Sequence, residues 1–276
     1  MSDELLLSRL QEGVLRMTLN RPKALNALTQ SLMNDLVAAL DLAARDPAVS
    51  VVVLEGAGDA FCAGADRFTG AAVDSRDPLA AAWSLDQAWT SQGMREARLR
   101  HQADAAYLLY TMPKPTIAVI KGAAAGAGLA LAAACDFRLA SSRALFRTAY
   151  VAAGYSGDFG CGYLLARLVG AAKARELMFL NDKVDATSAR ECGMVSWLVE
   201  PDEVERRRQE IAGRLAAGPP IALGYMKRNF ADGEAMEFRR YLDAESQRMI
   251  SSARTQDAAE ALNAFKEKRS PVFKGQ

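Results

Sequence analysis

Two short loops hold the residues best suited to chemistry in this chain, and they offer backbone rather than side chains. One is Phe61-Cys62-Ala63-Gly64-Ala65-Asp66, following the apolar run Val51-Val52-Val53-Leu54. The other is Gly122-Ala123-Ala124-Ala125-Gly126-Ala127-Gly128, following Thr116-Ile117-Ala118-Val119-Ile120. Neither carries a bulky side chain where the chain must turn, so a ligand can come close to main-chain N–H groups. Two converging N–H donors can hold an oxygen that becomes negative during a reaction. A nucleotide phosphate cradle is the competing chemistry. Gly126-x-Gly128 lacks a third glycine and no Lys-Ser/Thr follows, so neither common nucleotide fingerprint is met. A purely structural role, letting a helix pack closely on a sheet, stays open. A third candidate is Asp158, within Gly154-Tyr155-Ser156-Gly157-Asp158-Phe159-Gly160. Taken alone, an aspartate in such a turn is commonly a helix N-cap or an Asx-turn residue.

Other chemistries lack their residues. His101 is the one histidine, and no Gly-x-Ser-x-Gly elbow supplies a serine nucleophile. Cys62, Cys135, Cys161 and Cys192 form no Cys-x-x-Cys pair and sit among small or apolar neighbours. They read as buried thiols of a reducing compartment, and no metal site is expected. The net charge of +1 offers no footprint for nucleic acid or an anionic membrane. Glu205-Arg206-Arg207-Arg208 reads as a solvated helix face. Met1-Ser2-Asp3-Glu4 lacks the basic and apolar stretches of a signal peptide, and no apolar run nears the about 20 residues that span a bilayer. A cytoplasmic location is expected.

The elements that must position these loops alternate. Residues 14–20 alternate apolar and polar side chains as a strand does, and Asn20-Arg21-Pro22-Lys23 ends it. Thr29 is placed to cap a helix carrying Leu32, Leu36, Leu40 and Ala43. Val51 to Leu54 reads as a strand covered on both faces. Residues 70–100, with Trp83 and Trp89, form the least regular stretch, and a helix over 102–112 ends before Pro113. A strand at 116–120, an Ala-rich helix buried all round, a strand at 137–140 and a helix carrying Leu164, Leu165 and Leu168 follow. Repeated strand–turn–helix units predict an α/β fold with largely parallel strands. From Pro201 the pattern is wholly helical, so the chain divides into residues 1–200 and 201–276.

Four segments together resemble the enoyl-CoA hydratase/isomerase (crotonase) family along nearly the whole chain. They are Asn20 to Leu28, Ala60 to Asp66, Lys114 to Asp136, and Val184 to Val195. Each is weak alone; in the family's order and spacing they are specific. The resemblance implies a crotonase-like spiral of ββα turns with a helical C-terminal trimerisation region, giving a homotrimer or a dimer of trimers. It implies a coenzyme A thioester as ligand, with coenzyme A part of the substrate and no resident cofactor. The N–H groups of Ala65 and Ala127 would form an oxyanion hole, aided by the positive end of the following helix. Lys23, Ala24 and Leu25 would lie along the adenosine end of coenzyme A, with Ala63 and Asp66 adding backbone contacts. Lys268 or Arg269 would approach its phosphates or, on the alternative reading, serve only as surface charges.

The departure from the family pattern concerns the reaction. The two glutamates of a hydratase fall on Ala130 and Tyr150, and a tyrosine with a pKa near ~10 is a poor base at neutral pH. Asp158, eight residues after Tyr150, instead resembles the branch with one catalytic aspartate in this loop, which includes the phenylacetate-pathway ring-epoxide CoA isomerase. Such a carboxylate would move a proton between two carbons of an unsaturated acyl-CoA, its basicity raised by a pocket flanked by Tyr155 and Phe159. The alternatives are an enoyl-CoA hydratase, an aryl-CoA dehalogenase and a non-catalytic CoA- or RNA-binding scaffold. A dehalogenase needs a tryptophan where Tyr150 stands and a histidine two residues from His101.

Overall fold

The computed structural model describes residues 4–66 and 91–276. Trp83 and Trp89, and most of the stretch read as irregular, lie outside the described residues.

Strands β1 (Leu6–Gln11) and β2 (Val14–Leu19) pair antiparallel from Leu6↔Leu19 to Gln11↔Val14. Glu12 and Gly13 turn the hairpin with φ of 50° and 77°, as a two-residue turn between twisted strands requires. β1 carries no alternating pattern and is exposed beyond Leu7, so periodicity could not announce it. A 3-10 turn (Pro22–Ala24) leads to helix α1 (Gln30–Arg45). The Thr29 hydroxyl accepts from Leu32 N at 3.2 Å, the expected cap. β3 (Val51–Gly56) is buried throughout.

Helix α2 (Gln92–Gln102) occupies the end of the stretch expected to be irregular, and this corrects that expectation. None of its residues is buried, so it has no apolar stripe to read; Ser91 caps it by accepting from Met94 N. There follow α3 (Asp104–Thr111), β4 (Thr116–Ile120), β5 (Ala123–Ala125), α4 (Ala127–Ala134), β6 (Phe137–Ser141) and β7 (Leu145–Arg147). Next come α5 (Cys161–Val169), α6 (Ala171–Leu180), β8 (Val184–Asp185), α7 (Ala186–Glu191) and β9 (Trp197–Val199). The chain ends in α8 (Val204–Ala216), α9 (Pro220–Gly233), α10 (Phe238–Ala253) and α11 (Gln256–Glu267).

The strands form a six-stranded sheet in the order β1-β2-β3-β4-β6-β9 and a three-stranded sheet in the order β5-β7-β8. From β2 onward the larger sheet is parallel. β4 and β6 are each followed by a shorter strand of the smaller sheet, β5 and β7, before the chain returns through helix: the spiral of ββα turns. Along β3, Val52 and Leu54 face a core shared with Leu36, Leu109 and Leu131, while Val51 and Val53 face Val204, Ile211 and Ala212 of α8. That two-sided burial explains why β3 and β4 are continuous apolar runs.

The helical C-terminal region is tied to the sheet by Lys227 of α9. Its Nζ lies 2.8 Å from Asp136 Oδ2 and donates to Leu109 O at 2.7 Å. Farther out, Phe230, Phe238, Met249 and Phe265 are exposed. Among the described residues no helix is long and apolar enough to cross a membrane.

Asn26 locks the first loop in place. Fully buried and left-handed at φ 56°, it donates through Nδ2 to Ala57 O and Ala60 O at 2.9 and 2.8 Å and accepts from Arg21 N at 3.0 Å. Asn26→Ala would leave buried partners unsatisfied, at about 1–3 kcal/mol for each group that stays dry. The expected loss is about 3 kcal/mol of unfolding free energy. Urea denaturation with an unchanged slope checks it; a loss below about 1 kcal/mol would refute the latch.

Candidate active site

The two loops meet edge to edge through their backbones. Phe61 N and Cys62 N both donate to Ala123 O at 3.0 Å, and Ala125 N returns a bond to Cys62 O at 2.9 Å. On its other side the first loop is held by Leu28 N donating to Gly64 O at 2.8 Å, with Ala63 N donating to Leu25 O and Asp66 N to Leu28 O, each at 3.0 Å. These bonds take up the N–H groups around Ala65 and leave its own. Gly126 N donates to Arg147 O at 3.1 Å, and Ala127 opens α4, where an N–H has no partner within the helix. Among the described residues no hydrogen bond takes up the N–H of Ala65 or of Ala127.

Two glycines make this approach possible. A Cβ on Gly128 would stand 2.4 Å from Cys62 O, a backbone clash that nothing flexible can relieve. Gly64, at φ 94°, would place a Cβ 2.9 Å from Ala125 O and 3.6 Å from Ala127 N. The backbone flanking Ala65 therefore lies against Ala127. The positive end of α4, whose eight residues are all buried, points from the same place.

Pairing of β7 with β5 brings the segment after β7 alongside. Ala125 is in register with Arg147, and a Cβ on Gly126 would lie 3.8 Å from Thr148 O. Asn181, at the end of α6, fixes the backbone there by accepting from Ala149 N at 2.7 Å. Tyr150 is buried, and its hydroxyl donates to Asp158 Oδ1 at 2.8 Å. Positive φ at Gly154 and Gly157 bends the turn between them, and positive φ at Phe159 and Gly160 leads on into α5. Asp158 does not cap α5: the N-cap is Gly160, without a side-chain bond. The carboxylate is turned inward and half-buried instead.

Burial raises the Asp158 pKa above the ordinary carboxylate value, and the hydrogen bond from Tyr150 opposes that rise without cancelling it. Burial likewise pushes Tyr150 up, so it stays protonated and can only donate. The Cys161 thiol is pushed up to about 12 by burial, which makes it inert as a nucleophile. Phe159 is buried as the sequence suggested, whereas Tyr155 is largely exposed. Ala130, one turn into α4, is fully buried and brings no carboxylate.

Of the other residues singled out, Lys23 and Leu25 are exposed on and beside the 3-10 turn, with Ala24 half-buried between them and Ala63 exposed opposite. Asp66 is different. Its carboxylate pairs with Arg21 at 2.8 Å and its side chain is 5% exposed, so it holds the loop from within. Arg269 pairs with Glu260 and Glu267, while Lys268 ends α11 in a left-handed cap. His101 lines a shallow groove with Asn34, Asp41 and Tyr107, apart from the loops. Among the described residues no cluster of His, Cys, Asp or Glu could hold a metal ion. Sequence reasoning missed Arg21, Asn26 and Asn181 as clamps. Two are asparagines with positive φ outside regular structure, a signal that the sequence carries weakly.

The family described as enoyl-CoA hydratase/isomerase matches this chain over residues 9–276. The 1,2-epoxyphenylacetyl-CoA isomerase of Escherichia coli (strain K12) is 33% identical over 274 residues, 99% of each chain. The crotonyl-CoA hydratase of Syntrophomonas wolfei is 32% identical, over 95% of each. Among solved structures, a putative enoyl-CoA hydratase of Streptomyces coelicolor superposes with a TM-score of 0.87 at 32% identity, covering 100% of this chain and 97% of that one. An enoyl-CoA hydratase of Bacillus anthracis gives 0.87 at 29% identity, covering 99% and 100%. With its spiral of ββα turns and facing backbone loops, this chain belongs to the enoyl-CoA hydratase/isomerase (crotonase) family.

Proposed function

We propose that this enzyme isomerises an unsaturated acyl-CoA, with Asp158 as the base that moves a proton from one carbon to another. The N–H groups of Ala65 and Ala127 hold the thioester oxygen while it carries the charge of the dienolate. The observation that carries this reading is the Tyr150–Asp158 hydrogen bond. It turns the carboxylate inward, in place of the surface cap that an aspartate in such a turn usually makes. Ala130 and Tyr150 stand where a hydratase keeps glutamates, and neither can activate water. Similarity to 1,2-epoxyphenylacetyl-CoA isomerase supports the choice. Similarity to crotonyl-CoA hydratase at 32% identity keeps hydration as the second reading.

Coenzyme A enters as part of the substrate, and the reaction needs no resident cofactor. Lys23, Ala24, Leu25 and Ala63 form the surface proposed for its adenosine end. Asp66 serves this surface indirectly, by holding the loop through Arg21. A homotrimer, or a dimer of trimers, would cover the exposed Phe230, Phe238 and Phe265.

Isomerisation of a 3-enoyl-CoA and hydration of crotonyl-CoA, assayed side by side, test the reading. Asp158→Ala should lower kcat/KM for isomerisation by about 10²–10⁴. Hydration that survives this change, with no isomerase activity to lose, would overturn the assignment. Ala127→Pro removes one donor at a helix position that tolerates proline, and should lower kcat by about 10²–10³ while far-ultraviolet circular dichroism stays unchanged. An unchanged kcat would remove Ala127 from the site.

Asp158 also predicts a stability effect whose sign follows from its raised pKa. Its contribution is fully present below the unfolded carboxylate pKa and is lost as pH rises through the higher folded value. Asp158→Asn should therefore unfold at a higher temperature than the parent at pH 7, and the gain should vanish at pH 3. A gain present equally at both pH values would show that ionisation is not its cause.

A further inference from the structure

We infer that Tyr150 is the positioning residue of the proton shuttle: its hydroxyl fixes Oδ1 of Asp158 and leaves Oδ2 as the oxygen that takes and returns the proton. This rests on the isomerase reading and adds a role that Asp158 cannot perform alone.

The geometry is specific. Tyr150 Oη lies 2.8 Å from Asp158 Oδ1 and 3.4 Å from the carbonyl oxygen of the same residue, so one donor grips both ends of the aspartate. Among the described residues Oδ2 has no hydrogen-bond partner. The tyrosine is itself rigid: its ring is buried, and Asn181 holds the preceding residue, Ala149, by its N–H. A Cβ on Gly157 would lie 3.2 Å from Met178 Cε and 4.0 Å from Tyr150 Cδ2, so the glycine lets the turn close over the ring. Among the described residues, the titratable groups facing Asp158 are Tyr150, from the segment after β7, and Cys161, at the start of α5. From α6 the turn meets Met178, which is uncharged.

The proton balance is closed. Oδ2 takes a proton as a C–H bond breaks, and that electron pair passes into the dienolate, with its charge on the thioester oxygen. The dienolate then takes the proton back from Oδ2 at a different carbon, and the carboxylate is regenerated. Tyr150 keeps its own proton throughout, since burial holds it far from ionisation. Its hydrogen bond favours the ionised carboxylate, so it supplies charge as well as direction.

Tyr150→Phe removes one oxygen and keeps the ring. The pH profile of kcat/KM for 3-enoyl-CoA isomerisation should move its acid limb upward by about one to two pH units. On the plateau, kcat should fall about tenfold with KM within about twofold, the split expected of a group that acts through the base rather than on the ligand. An unmoved acid limb with unchanged kcat would overturn the role, as would loss of thermal stability alone. Asp158→Asn separates the two claims. If it keeps isomerase activity, the function fails. If it is inactive while Tyr150→Phe behaves as the parent, only the positioning fails. Should Tyr150→Phe not fold, infrared difference spectra of the parent enzyme decide. A tyrosine C–O band should shift with the acid-limb pKa and stay fixed in Asp158→Asn; a band that stays fixed in both overturns the inference.

Discussion

Everything at this site depends on two polypeptide loops lying closer together than side chains would permit. The approach is closed by Ala125 N donating to Cys62 O, and by the two bonds that Ala123 O receives from Phe61 and Cys62. It is possible only because Gly128 and Gly64 have no Cβ to meet the opposing backbone. Once the loops are joined, the ladder geometry decides the rest. Neighbouring N–H groups are consumed by carbonyls on either side, and among the described residues those of Ala65 and Ala127 are left over, the pair proposed to hold the thioester oxygen. The helix macrodipole adds to the donors without any charged residue. A site of this kind is preorganised by the fold itself, so it does not have to reorient during the reaction.

Two effects compete at Asp158, and their order sets its chemistry. Removal from water favours the neutral acid, and the Tyr150 hydroxyl favours the carboxylate. Burial is the larger, so the group is a stronger base than an exposed aspartate. Tyr150 cannot take over the proton transfer, because the same burial pushes its own ionisation far out of reach. In the proposed mechanism the pair therefore divides its labour by environment: one group always holds its proton, and the other exchanges one.

The sequence revealed most of what the backbone does. Apolar runs at 51–54 and 116–120 announced buried parallel strands, Thr29 announced a helix start, and the small-residue loops announced close backbone approach. These are local signals, and residues within a few positions decide them. Contacts that depend on how the chain turns back on itself were not legible, whether eight residues apart or forty-five. Tyr150 was recognisable only as an absent glutamate, and its bond to Asp158 depends on five positive φ angles between residues 149 and 160. Arg21 joins Asp66 across the first loop, an ion pair that a reading of Asp66 as a ligand contact could not foresee. Helix α2 was hidden for the opposite reason: it buries nothing, so no periodicity marks it. The arrangement of residues 67–90 lies outside the described residues, and with it the fate of both tryptophans.

On the proposed isomerase reading, Ala130 is the residue that argues against hydration. Water addition needs a base that draws a proton from the water and an acid that completes addition at the α-carbon. The α4 position where the first carboxylate would project is a fully buried alanine, in a helix whose eight residues are all buried. A glutamate there would have to open space in close packing and desolvate a charge within it. The second position holds a phenol locked to Asp158. Neither position then holds a group able to deprotonate water, and both suit the proposed site, in which a dienolate is kept from water. A single carboxylate with a protonated neighbour is sufficient for moving a double bond, because the proton that leaves is the proton that returns.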